Sequence, residues 1–140
     1  MYKNVSELMQ WRVDLLMAER CEDLAREHLF PLVMYQDEQL LVLTSPEEFV
    51  DVCAKFCSAQ RSRKVARIQS RVLAVDLPRH GRFRVWVGYD ELDISGDTLH
   101  HWEAIHYCRE MQSGLKSEML ELGPGNFMEI WERHRPTVKQ

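Results

Sequence analysis

Arg82-Phe83-Arg84-Val85-Trp86-Val87-Gly88-Tyr89-Asp90-Glu91-Leu92-Asp93 alternates along most of its length. Phe83, Val85, Val87 and Tyr89 share one side, and Arg84, Trp86, Gly88 and Asp90 share the other. That is the period of a half-buried β-strand. Reading downstream, Ile94-Ser95-Gly96-Asp97 turns the chain into a strand at 98–111. Gln112-Ser113-Gly114 then turns it into a strand from Leu115 to Leu122, and Gly123-Pro124-Gly125 closes the sheet. Upstream, Val65 to Leu77 is rich in β-branched and aliphatic residues and ends at the turn Pro78-Arg79-His80-Gly81. Four consecutive strands joined by short turns predict an antiparallel meander.

Further upstream the period becomes helical. Ser45-Pro46-Glu47-Glu48 is a capping box, with Ser45 as cap and Pro46 in the first turn. The helix it opens carries Phe49, Val52, Cys53, Phe56 and Cys57 on one face. Before it, Leu32-Val33-Met34-Tyr35 and Leu40-Leu41-Val42-Leu43 flank a polar turn and predict a β-hairpin. Residues 5–28 read as two helices, one long and one short, with a break near Arg20-Cys21. Their apolar stripe is Leu8, Trp11, Leu15, Ala18, Leu24 and Ala25, with Arg12 among the polar residues around it. At the far end, Asn126 caps a short helix with Phe127, Ile130 and Trp131, followed by a tail. This order predicts an α+β fold: a cone-shaped curved antiparallel sheet wrapped around N-terminal helices. One domain over residues 1–140 is expected, with its core at about 5–122 and a C-terminal helix and tail at 123–140.

Composition narrows the class. With 140 residues, 45% apolar and 29% charged, the chain is one ordinary globular domain. It has no apolar run long enough for a membrane helix, and Met1-Tyr2-Lys3-Asn4-Val5-Ser6-Glu7 does not read as a secretory leader, so none is expected. Lys and Arg number 18 against 22 Asp and Glu, a net charge of −4, so a nucleic-acid partner is not expected. The run Arg61, Arg63, Lys64, Arg67 and Arg71 reads as a solvated face. Cys21, Cys53, Cys57 and Cys108 read as buried reduced thiols, which places the protein in the cytoplasm. Cys53 and Cys57 share a helix side, but no second close pair accompanies them, so no metal site is expected. His100 and His101 point to opposite faces of a strand and do not share an ion.

With Phe30-Pro31 before the first strand, Thr44-Ser45-Pro46-Glu47-Glu48 opening the third helix and Gly114 ahead of the last strand, the chain resembles the nuclear transport factor 2-like cone. That superfamily includes the SnoaL-type cyclases and the ketosteroid isomerases. The resemblance spans about residues 5–122. It implies an apolar pocket at the wide end of the cone and a homodimer formed through the outer sheet face. In the isomerase and cyclase branches, carboxylates do the acid–base chemistry, one ahead of the first strand and another on the next-to-last strand. Here the first region reads Leu29-Phe30-Pro31-Leu32 and has no acid. The second reads Glu103-Ala104-Ile105-His106, so no catalytic residue carries across.

If Tyr89 lies inward, pairing across the Ser95-Gly96 turn brings Glu103 and Tyr107 to the same face, with His101, and Tyr35 at the same mouth. Tyr35, Tyr89, His101, Glu103 and Tyr107 are therefore the expected pocket. Arg84, Trp86, Trp102 and His106 are the expected dimer face, because paired tryptophans on an uncovered face mark an interface. Two functions are expected. The first is a homodimer that binds a small, largely apolar molecule without catalysis and without a cofactor. The second is a small isomerase, dehydratase or cyclase with Glu103 or His106 as general base.

Overall fold

A computed structural model describes residues 4–123. The expected C-terminal helix with Asn126, Phe127, Ile130 and Trp131 lies outside the described residues. The elements are α1 (Val5–Met17), α2 (Cys21–Ala25), β1 (His28–Gln36), β2 (Gln39–Leu43), α3 (Pro46–Ser62), β3 (Arg67–Val75), β4 (Arg82–Leu92), β5 (Thr98–Met111) and β6 (Gly114–Leu122). The six strands form one curved sheet in the order β2-β1-β6-β5-β4-β3. The meander β3 to β6 is antiparallel as its turns demand, while β1 joins β6 in parallel, so the hairpin extends the same sheet. This is the expected α+β class, with one parallel seam.

Local chemistry starts and stops each helix. Asn4 accepts the Glu7 N–H at 2.8 Å, and Ser45 accepts the Glu48 N–H at 3.3 Å. The Glu48 carboxylate takes the Thr44 hydroxyl rather than closing a reciprocal box on the cap N–H. Glu19 ends α1 with φ 58°, and Lys64 ends α3 with φ 61°. In both, the next N–H reaches back along the helix, Arg20 to Leu15 at 2.9 Å and Val65 to Gln60 at 3.0 Å. These are Schellman closures made without glycine.

The helices cover one face of the sheet. Leu8, Met9, Val13, Leu15 and Leu16 of α1 and Phe49, Val52 and Phe56 of α3 are buried there. They meet Val85, Val87 and Tyr89 of β4, so the apolar side of the alternating strand is the inner side. Gln10 docks α1 on the sheet's edge: its Nε2 donates to Ile68 O at 3.0 Å and its Oε1 accepts the Ser70 N–H at 2.8 Å. Two edge groups of β3 are thereby satisfied. Among the described residues, no helix is long and apolar enough to cross a membrane.

One extra residue decides what faces the core. Leu92 pairs with Thr98, but Glu91 pairs with His100, so Leu99 is a bulge in β5. Beyond it Tyr89 opposes Trp102, Val87 opposes Ala104, Val85 opposes His106 and Phe83 opposes Cys108. An unbulged hairpin continuing from Leu92 and Thr98 would have set His101, Glu103 and Tyr107 opposite Tyr89, Val87 and Phe83. Because side chains alternate, that single residue exchanges the two faces of β5.

Candidate functional site

The bulge therefore corrects both expected groups. Of the expected pocket, only Tyr89 lies inward. His101, Glu103 and Tyr107 lie on the outer face, and Tyr35 does too, since it pairs with Glu121, which opposes Ile105. Of the expected dimer face, Arg84 and Trp86 are outside, while Trp102 and His106 turn inward. Glu103 is thus removed from the interior as a general base, and His106 takes its place there.

Between α1, α3 and the inner sheet lies a cavity of about 110 Å³. Leu16, Phe49, Val52, Phe56, Leu120 and Leu122 supply much of its apolar wall, and Arg12, His28, Tyr89 and His106 supply polar groups. No carboxylate lines it among the described residues. Its size is comparable to that of an apolar protein cavity of about 150 Å³ that admits benzene.

The polar groups form a buried chain. The Tyr89 hydroxyl lies 2.7 Å from His106 Nε2, and His106 Nδ1 lies 3.3 Å from Ser117 Oγ. Arg12 Nη1 donates to Ser117 Oγ at 2.7 Å, and Arg12 Nε donates to the Glu27 carboxylate at 3.2 Å. Arg12 Nη2 donates to the carbonyls of Glu27 and Leu115 at 3.3 and 3.0 Å. A buried cation is thus neutralised by Glu27 and hydrogen-bonded through each of its guanidinium nitrogens, which is what burying it requires. A second cluster holds the tryptophan. The fully buried Glu91 carboxylate accepts from Gln60 Nε2 at 3.0 Å and Trp102 Nε1 at 3.2 Å, and pairs with Arg63 at 2.8 Å. Trp102 in turn stacks on Tyr89 with ring centroids 4.1 Å apart.

Burial sets the protonation states. His106 is held well below the ordinary imidazole value, first by desolvation and then by the charges of Arg12 and His28. His28 falls to about 3, again by burial first and Arg12 second. Burial raises the Tyr89 phenol. At neutral pH all three are uncharged. Neutral His28 donates from Nδ1 to the Leu24 carbonyl at 2.9 Å. Neutral His106 has one N–H for two partners. If Ser117 donates to Nδ1, Nε2 donates to Tyr89 and the phenol proton is released toward a ligand. If Nδ1 donates to Ser117, Tyr89 donates to Nε2 and its oxygen is left to accept. The pair thus offers either a donor or an acceptor to a polar group in the cavity.

Arg12, His28 and Ser117 were missed by sequence reasoning. Arg12 had a signal: at helical spacing it falls between Leu8 and Leu15, on the apolar stripe rather than opposite it. His28 and Ser117 had none, because their burial follows from the β1–β6 pairing.

On the outer face, Arg84 lies 4.7 Å from the Trp86 ring centroid and pairs with Asp76 at 2.7 Å. His101 bridges Asp90 at 2.8 Å and Glu103 at 3.1 Å, and both carboxylates raise its pKa, Glu103 most. Tyr107 donates to Glu121 at 3.2 Å.

No family model matches the chain, and no curated protein matches it. Solved structures do match. The protein Aln2 from a Streptomyces species superposes with a TM-score of 0.66 at 12% identity, over 94% of this chain and 93% of that one. An NTF-2 like protein of unknown function from Shewanella oneidensis gives 0.64 at 7% identity, over 84% and 94%. A ketosteroid isomerase-like protein from Erwinia carotovora atroseptica gives 0.60 at 10% identity, over 85% and 92%. At these identities the likeness is one of fold, and the fold is the nuclear transport factor 2-like cone.

Proposed function

We propose that this chain binds a small, largely apolar molecule, about one ring in size, that carries a single hydroxyl or carbonyl. The observation that carries this reading is the cavity itself: about 110 Å³ of mostly apolar wall with the Tyr89–His106 pair set into it. The apolar wall supplies affinity, at roughly 25 cal/mol per Å² of surface removed from water. The pair supplies orientation, because a buried phenol and imidazole favour a ligand that completes their hydrogen bonds. Ligand charge is disfavoured, since Glu27 already balances Arg12 and the histidines are neutral.

The expected homodimer is retained as part of this reading, with a different face. Trp86, Ile105 and Tyr107 form an apolar strip rimmed by Arg84, His101 and Glu103, which suits the outer sheet to a second copy. The four cysteines are free, which supports a reducing, cytoplasmic setting.

A second reading is catalysis. The 2.7 Å contact between Tyr89 and a neutral His106 favours it, because it sets a phenol and an imidazole side by side within hydrogen-bond reach of one bound group. Binding leads, because no carboxylate among the described residues reaches the cavity to hold charge during such a transfer.

Native mass spectrometry of protein purified gently from its own cells tests both parts. The expected spectrum shows a dimer carrying a small organic molecule. A carried molecule that proves, once extracted and separated by chromatography, to be a mixture of two isomers differing in the position of one proton would turn the reading toward catalysis. A bare monomer that takes up nothing even after incubation with phenol would end it.

A further inference from the structure

Three of the four cysteines come together although only two are close in sequence. Cys53 and Cys57 are one turn apart on α3, and Cys21 begins α2. Their sulfur atoms all lie within 4.8 Å of one another, and all three residues are buried. The fourth, Cys108, sits apart on β5, with Ser117 Oγ 4.0 Å from its sulfur. The sequence rule for close pairs overlooks this cluster because its third member arrives through helix packing.

We propose that Cys21, Cys53 and Cys57 form a three-coordinate thiolate site for a soft monovalent d¹⁰ cation, Cu(I). Three sulfurs in a plane around a metal at about 2.3 Å stand about 4.0 Å apart. The observed cluster therefore needs a contraction of about 1 Å at most. Among the described residues no fourth histidine, cysteine or carboxylate joins it, which disfavours the tetrahedral site that structural zinc prefers. Soft thiolates without oxygen ligands suit copper in its reduced state, and a set of three matches its low coordination number. Cys53 also lines the cavity, which gives the ion a path inward. Each cysteine that ligates gives its thiol proton to solvent, and the copper stays Cu(I), so no electron moves. The bound ion ties α2 to α3. The proposal stands independently of what the cavity holds.

The test is anaerobic titration of the reduced chain against the coloured Cu(I)–bicinchoninate complex. The wild type is expected to withdraw one copper per chain and to melt at a higher temperature when loaded, because the folded state holds three thiolates together where the unfolded chain scatters them. Cys53→Ser and Cys21→Ser are each expected to lose at least a hundredfold in affinity, and Cys108→Ser none. Circular dichroism confirms that each variant is folded, and Cys57→Ala replaces either one that is not. Failure of the wild type to compete for the ion would overturn the proposal. So would equal losses in the Cys108→Ser and Cys53→Ser variants, or a native disulfide within the cluster.

Discussion

His28 and His106 are neutral because burial leaves no water to solvate their charged forms, and the unfolded chain lifts that constraint. Below pH 6.5 the unfolded histidines take up protons that the folded ones refuse. The unfolded state then binds more protons, so stability falls as the pH falls, toward about 3 in the case of His28. Each histidine contributes about 1.4 kcal/mol per pH unit in that window. His101 works the other way, since its raised pKa favours the folded state at low pH, but it is largely solvated and its effect is small. Urea midpoints measured from pH 7 to 5 are expected to drop steadily, with a shallower slope by about one proton in His28→Gln. A pH-independent midpoint would show that these imidazoles are not held neutral. Tyr89 was legible as an inward residue from its place on the alternating strand. His106 was legible as a possible base, but its side of the sheet was not.

At the scale of elements, most turns and periods of the described residues were readable. Helix was read to residue 28, however, and Phe30-Pro31 was placed before the first strand. Instead α2 ends at Ala25 and β1 starts at His28 with Phe30-Pro31 inside it, because the pairing of His28 with Ser117 draws those residues into the sheet. The helix break near Cys21, the Ser45 cap and the bounds of β5 at 98–111 all lie where the sequence puts them. The register between β4 and β5 was not readable, because a bulge is a property of the pair of strands rather than of either one. Leu99 carries that information alone. Deleting it closes the hairpin in the unbulged register and drives His101, Glu103 and Tyr107 into an apolar interior, with Trp102 and His106 expelled. Burying a carboxylate without a partner and losing the tryptophan's packing should together cost roughly 4 kcal/mol or more. For a domain of this size, the Leu99 deletion is expected to melt about 10 °C lower or not to fold cooperatively. A deletion variant that melts like the wild type would mean that the bulge does not set the facing.

Taken whole, the molecule is a sheet with two differently built faces. The inner one is covered by α1 and α3 around a small cavity, and the outer one is aromatic, charged and uncovered by the described helices. The fold class followed from element order, because helices that precede an antiparallel meander have one apolar sheet face to cover. The cavity did not follow, since it is the space left between residues from several elements and has no signature along the chain. Its meaning turns on whether the Tyr89–His106 pair recognises a polar group on an apolar ring. Calorimetric titration with phenol and with benzene, on the wild type and on Tyr89→Phe, decides this. The expected result is phenol binding about 3- to 10-fold tighter than benzene in the wild type, with the preference lost in the variant. Equal binding of the two rings by the wild type, or binding of neither, would contradict the account.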